Sequence, residues 1–302
     1  MVFEAIVTEA PPVAPLATGS GEIDLRAEYA QSEVQAILDE LERDLVGMQP
    51  VKTAIREIAA FLLIDRTRRK LGMTSEAPGL HMSFTGKPGT GKTTVALRMA
   101  GILHRLGYIQ KGHMIAASRT DLTGGRTGQV IDKAVGGVLF IDEAYYLQQG
   151  AGERDQTSEV IETLLQAMEN RRGEFVVIVA GYKDRMARFF DANPGLASRI
   201  DNHIAFPDYT DEELFAIGQL MLTRQQYRLS AKAEEAFVRY IERCTRLTYF
   251  ANARSVRNAI DEFRKRQANR LFAKMGEPLD ADDLMTIEAE DILASRIFKA
   301  YL

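Results

Sequence analysis

Lys92 and Thr93 close the run "GKPGTGKT", where Gly86, four residues, Gly91, Lys92 and Thr93 stand at the spacing of a phosphate-binding loop. Glycines let the main chain wrap a phosphate with no side chain in the way, and the N–H groups of the following helix start favour negative charge. Gly86, Pro88, Gly89, Thr90, Gly91 and Thr94 complete the cradle. Lys92 is placed to reach the β and γ phosphates, and the Thr93 hydroxyl to hold Mg²⁺. A second pair lies fifty residues on. "GGVLFIDEA" carries four apolar residues that end in Asp142 and Glu143. Adjacent acids after a buried strand are costly unless a cation offsets them. Asp142 is read as the Mg²⁺ carboxylate and Glu143 as the general base that polarises the attacking water. A guanine-specifying NKxD is missing, as are the DFG and HRD sets of protein kinases, so ATP is the expected nucleotide.

These residues need strands that end at one edge of a sheet. "HMSFTG", "HMIAAS", "GGVLFIDEA" and "EFVVIVAGY" read as short apolar strands, with helical patterns such as "TTVALRMAGILHRLG" and "SEVIETLLQAMEN" between them. Alternation from about residue 80 to 206 predicts an α/β unit with a doubly wound parallel sheet. The stretch "YAQSEVQAILDELERDLVG" predicts one helix that stops at Gly47, and "PVKTAIREIAAFLLIDRTRRKLG" a second that stops at Gly72. After Pro207 every pattern is helical, which predicts a small all-helical domain. Thr210 and Glu213 have capping-box spacing at its entrance. The expected organisation is a flexible tail over 1–20, a nucleotide-binding unit over 21–208 and a helical lid over 209–302.

Composition narrows the rest. Of 302 residues, 46% are hydrophobic and 26% charged, and the net charge is −4 with acids and bases intermixed, which argues against a nucleic-acid coat protein. No apolar run reaches membrane-spanning length. Cys244 is the one cysteine; it rules out an internal disulfide, is read as a packing residue, and favours a reducing cytosol. His81, His104, His113 and His203 lack zinc-ligand spacing.

Phosphate loop, paired acids, a following strand and a helical lid together resemble the AAA+ P-loop ATPases. The resemblance implies further roles. Arg199 in "NPGLASRI" looks like the arginine finger that reaches the nucleotide of the next subunit. Arg254 in "FANARSVRNAID" looks like the lid residue that touches the γ-phosphate, with Arg257 as its competitor. Val46 and Gly47 in "LVGMQPVK" look like the segment at the adenine edge. From about Ile23 to Phe298 the chain resembles the red-type rubisco activases, through "GGVLFIDEAYYL", "VVIVAGYKDRM", "FPDYTDEELF", "FANARSVRNA" and "RQANRLF". That group implies an ATP-driven ring, a hexamer, that engages the rubisco large subunit and frees inhibitory sugar phosphates. Ribulose bisphosphate is the implied effector. The implied setting is a bacterial cytosol or plastid stroma. Sporulation stage V protein K and type VII secretion ATPases share many of these motifs, so another client is the alternative, as is a non-threading ATP-binding scaffold subunit in a mixed ring.

Three places depart from the pattern. Between Arg119 and Gly137 the family has an aromatic-aliphatic-glycine pore loop followed by a helix of several turns. Here "DLTGGRTGQVIDKAVGG" places Arg126 and Thr127 at the pore positions and leaves room for only a short helix. Ala197 stands where the family often has a second arginine. Tyr182 in "VAGYKD" stands where many AAA+ proteins carry asparagine.

Overall fold

Val138–Ile141 is apolar at every position and fully buried, as is nearly all of Val176–Gly181. Runs with no polar face must be covered on both sides, so they sit in the middle of a parallel sheet. The computed structural model, which describes residues 22–73, 76–148, 154–276 and 278–299, places five strands in that sheet. They are β1 (Met82–Thr85), β2 (Met114–Ala117), β3 (Val138–Ile141), β4 (Val176–Gly181) and β5 (Asn202–Ala205), all parallel, in the order β2-β3-β4-β1-β5. Phe84 of β1 lies opposite Ala180 of β4 and Ile204 of β5. The segment read as a tail, 1–20, lies outside the described residues.

Successive strand residues feed opposite layers. Phe84, Phe140 and Ile178 pack towards one side with Val95, Met99 and Leu103, while Leu139, Ile141, Val177 and Val179 pack towards the other with Ile131, Leu164, Met186 and Phe189. The helices are α1 (Leu25–Ser32), α2 (Val34–Asp44), α3 (Gln49–Lys70), α4 (Lys92–Arg105), α5 (Arg119–Leu122), α6 (Thr127–Ala134), α7 (Arg154–Asn170), α8 (Lys183–Ala192) and α9 (Pro194–Ala197). The expected single helix ending at Gly47 is two helices, and the second ends at Asp44. Glu33 between them is left-handed at φ 53°. Ser32 is buried there, and its hydroxyl both donates to the Tyr29 carbonyl (2.6 Å) and accepts from the Val34 N–H (3.4 Å). A serine that offers the backbone an alternative partner interrupts a helix whose apolar period continues through it.

The Arg119–Gly137 stretch is folded rather than projecting. A Ser118–Asp121 capping box starts α5, and Gly124 and Gly125, at φ 70° and 72°, turn the chain into the two-turn α6. Arg126 donates from Nε to the Thr123 carbonyl (3.0 Å) and from its guanidinium to the Thr120 carbonyl (2.7 Å). Thr127 is buried, with its hydroxyl donating to the Leu122 carbonyl at 2.7 Å. These bonds hold both residues against the preceding turn of their own subunit, where Arg126 stays exposed and Thr127 is buried.

Beyond Pro207 lie α10 (Asp211–Arg224), α11 (Ala231–Cys244), α12 (Ala253–Ala273), α13 (Ala281–Met285), α14 (Ala289–Leu293) and α15 (Arg296–Lys299). Thr210 and Glu213 form the capping box of α10. This part is helical with one addition: β6 (Arg228–Leu229) pairs in parallel with β7 (Thr286–Ile287). Such two-residue pairings are too short to leave a period in the sequence. Phe237, Tyr240 and Phe263 centre its core, with Phe263 edge-on to both partners. Gly218 makes room for them, since a Cβ there would meet the Phe237 ring at 2.4 Å. Cys244 is buried beside Tyr240, and burial pushes its thiol up to about 11, which leaves it unreactive near neutrality.

Candidate functional site

The phosphate loop leaves the carboxyl end of β1, and the paired acids leave that of β3. One strand, β4, separates them, so the two groups face each other across roughly 10 Å of sheet edge. The loop geometry depends on glycine at three points. Gly89 and Gly91 are left-handed at φ 75° and 98°, and a Cβ on Gly86 would lie 2.4 Å from the Phe206 carbonyl oxygen. Lys92 donates from Nζ to the carbonyls of Gly86 (2.9 Å) and Lys87 (2.8 Å), which holds the ammonium at the mouth of the loop. Burial pushes its pKa down, while Asp142 and Glu143 oppose that shift.

At the other end the Asp142 N–H continues the ladder to the Ala117 carbonyl (3.1 Å), and the chain then turns sharply at Glu143, which is left-handed at φ 51°. The Glu143 N–H donates to Asp142 Oδ1 (3.0 Å), and the Tyr145 hydroxyl donates to Glu143 Oε1 (2.9 Å). Tyr145 is buried against Tyr146 and Tyr182, and the Arg185 guanidinium lies 5.0 Å from its ring centre. Gly181 permits this packing, because a Cβ there would meet the Tyr145 ring at 2.8 Å.

Gly86, Pro88, Gly89, Gly91, Lys92, Thr93, Thr94, Asp142 and Glu143 line one cavity of about 750 Å³. Val46 lines its far side with Leu45, Ile217 and Met221, and the lid contributes Arg224, Arg254 and Arg257. An apolar slot at one end and a cationic, glycine-lined cradle at the other fit a nucleoside triphosphate. Its γ end would lie near Thr93, Asp142 and Glu143, oxygen ligands of the kind a divalent cation takes. Three expected residues stand apart from the lining. Thr90 is buried and donates its hydroxyl to the Lys87 carbonyl (2.9 Å), so it braces the loop from behind. Gly47 turns the chain at φ 60° against the Glu213 side chain, which a Cβ would overlap. Arg199 lies outside the cavity, donates to the Gly195 carbonyl (2.8 Å) and pairs with Glu169.

The sequence reading did not find Tyr145, nor the ion-pair chain at the apolar end of the cavity. Asp44 accepts from Arg98 of α4 at 2.5 Å and from Arg224 of α10 at 3.3 Å, which ties the phosphate-loop helix to the lid. The Arg98 hydrogen bond holds the Asp44 carboxyl below its usual range. In sequence Asp44 is only one acid near a helix end, and its partners are 54 and 180 residues away.

The family profile described as "ATPase family associated with various cellular activities (AAA)" matches residues 82–208, and an AAA lid domain profile matches 210–298. The chain is 58% identical to the chloroplastic ribulose bisphosphate carboxylase/oxygenase activase of Cyanidioschyzon merolae over 93% of its length and 99% of that protein. It is 56% identical to Protein CbbX of Cereibacter sphaeroides over 95% of each. Among solved structures, a RuvB variant of Thermotoga maritima aligns with TM-score 0.57 at 19% identity, covering 87% of this chain and 72% of that one. The FIGL-1 AAA domain in complex with ADP aligns at 0.56 and 19%, covering 84% and 82%. At such identities the structural likeness speaks for the fold.

Proposed function

The chain belongs to the AAA+ ATPases, among the homologues of CbbX, CfxQ and red-type rubisco activase, and from that membership and the cavity we propose how its residues divide the work of an ATP-driven rubisco remodeller. The observation that carries the proposal is the convergence of Lys92, Asp142, Glu143 and Arg254 on one cavity built half from the sheet and half from the lid.

Leu45, Val46, Ile217 and Met221 hold the adenine by apolar contact. The main chain of Gly86–Gly91 and the start of α4 bind the phosphates, and Lys92 exchanges its two loop carbonyls for phosphate oxygens. Bound Mg²⁺ would neutralise charge on the β and γ phosphates, with the Thr93 hydroxyl and the Asp142 carboxylate to hold it. Glu143 takes the proton of the attacking water at its carboxylate. Arg254 reports on the γ-phosphate, and Arg257 lines the same wall.

Arg199, outside its own subunit's cavity, completes that of a neighbour, which requires a head-to-tail ring; a hexamer is the expected size. The client is the rubisco large subunit, and the work is the release of tight sugar phosphates. A sugar bisphosphate effector belongs to this reading, without residues assigned to it. The fold of Arg119–Gly137 favours one refinement: a subunit with no projecting aromatic in this segment hydrolyses ATP and pulls weakly by itself.

The test is ATP turnover beside reactivation of inhibited rubisco, with and without ribulose bisphosphate. Reactivation that tracks turnover supports the remodelling role. Turnover with no reactivation, rescued by mixing with a homologue that carries the aromatic loop, supports a mixed ring. Turnover that no form of inhibited rubisco couples to removes the client.

A further inference from the structure

Asn252 stands at the N-cap of α12, where asparagine ordinarily bonds the free amides of the first turn. Its carboxamide makes no such bond. The residue is fully buried, and its backbone is held at φ 50°, ψ −132°, a conformation suited to glycine. A buried asparagine that is strained and diverted from capping persists only where its surroundings over-determine it.

Those surroundings are two separate parts of the site, the hinge and the phosphate loop. Oδ1 accepts the Tyr209 N–H at 3.1 Å, at the hinge between sheet and lid. Nδ2 donates to Asp208 Oδ1 (3.0 Å) and to the Pro88 carbonyl of the phosphate loop (3.4 Å). Asp208 in turn accepts from Lys87 of the loop at 2.6 Å. Next in the chain, the Ala253 N–H donates to the Gly89 carbonyl (3.2 Å), and Gly89 lies so close that a Cβ would sit 2.2 Å from the Ala251 carbonyl oxygen.

We propose that Asn252 is a positioning residue that pins the start of α12 to the phosphate loop and the hinge, so that Arg254 and Arg257 stay aimed into the cavity and lid movement is transmitted to the loop. The proposal rests on the site reading above, in which Arg254 senses the nucleotide. Asparagine is specified because the pin needs one acceptor and two donors on one planar group. Aspartate keeps the acceptor for Tyr209, loses both donors and sets a second carboxylate against Asp208. Glycine relieves the backbone and deletes the pin.

The experiment uses the full chain with Asn252→Gly, Asn252→Asp, Arg254→Ala and the double variant Asn252→Gly/Arg254→Ala. Thermal unfolding, ADP affinity and ATPase kcat and KM are measured for each. Asn252→Gly should keep its melting temperature within a few degrees, weaken ADP several-fold and lower kcat/KM about tenfold. The double variant should be no worse than its poorer parent, because both changes remove one coupled arrangement. Independent effects that multiply in the double variant would overturn the proposal, as would ADP affinity and turnover unchanged in Asn252→Gly. If the glycine variant unfolds, Asn252→Asp takes its place with the same expected loss, and full activity there is equally fatal. A silent Arg254→Ala removes the sensing role of that arginine; the pin is then decided by ADP affinity alone.

Discussion

Glu143 combines a left-handed backbone with a side chain tethered by the Tyr145 hydroxyl, so its carboxylate direction is set by a neighbour rather than by its own rotamer freedom. Glu143→Gln keeps size and loses basicity. It should bind ATP as the unmodified protein does and turn over at least about 100-fold more slowly, read by a binding assay beside phosphate release. Lys92→Ala should lose binding itself. Tyr145→Phe keeps the buried ring and removes one hydrogen bond to an ionised group, a change of about 1.5–3 kcal/mol at most. Its kcat should change several-fold with KM and melting temperature nearly constant. A KM change of the same size would mean that Tyr145 shapes binding instead.

Among the elements, two contacts make checkable demands. The first is the approach of the phosphate loop to α12. Gly89→Ala adds a Cβ 2.2 Å from the Ala251 carbonyl oxygen at φ 75°, so both lid seating and loop geometry suffer. Gly173→Ala is the matched control, since φ is 83° and nothing lies within 4 Å of its Cβ. The control should cost about 1–2 kcal/mol of backbone strain, and Gly89→Ala clearly more, with ATPase activity lost only in the latter. Equal losses would show that the close approach is unimportant. The second contact is His81, just before β1, whose Nδ1 accepts the Val177 N–H at 3.0 Å. Burial, with a smaller push from Arg172 and against the pull of Asp201, lowers its pKa to about 4. The unfolded chain, near 6.5, then binds the proton more readily, so stability is full above about pH 6.5 and falls as pH drops towards 4, by about 3 kcal/mol in all. His81→Gln, which keeps an acceptor, should flatten the melting temperature between pH 7 and 5 relative to the unmodified protein. Parallel curves would remove His81 from the account.

At the scale of the whole molecule, the proposed trans role of Arg199 makes each cavity depend on a second copy. Arg199 is bonded to Gly195 and Glu169 within its own subunit, so the proposed role has it exchange the acid for a neighbour's phosphate. Arg199→Ala should lower assembled ATPase activity by roughly 10³-fold or more while subunit nucleotide affinity is kept. Mixing Arg199→Ala with Lys92→Ala should restore turnover, because intact cavities of the first then meet intact arginines of the second. A mixture as inactive as its components would place the finger elsewhere.

Motifs whose chemistry is local can be read before the chain folds. A glycine-wrapped phosphate needs consecutive residues, so Gly86 to Thr93 are legible as spacing, and an apolar run that ends in two acids declares a central strand and its functional edge. The lid's entrance was legible for the same reason, since Thr210 and Glu213 meet within one turn. What joins distant segments was silent until the chain was folded. Asp44 meets Arg98 and Arg224, Tyr145 reaches Glu143 across a tight turn, and Asn252 spends its carboxamide on the loop and hinge instead of its own helix. The broken first helix and the folded-back Arg126 and Thr127 belong with these. Periodicity measures which face of an element is apolar; it carries no record of which side chain takes a backbone partner from a neighbour, and that choice is made only when burial leaves each polar group a single place to bond.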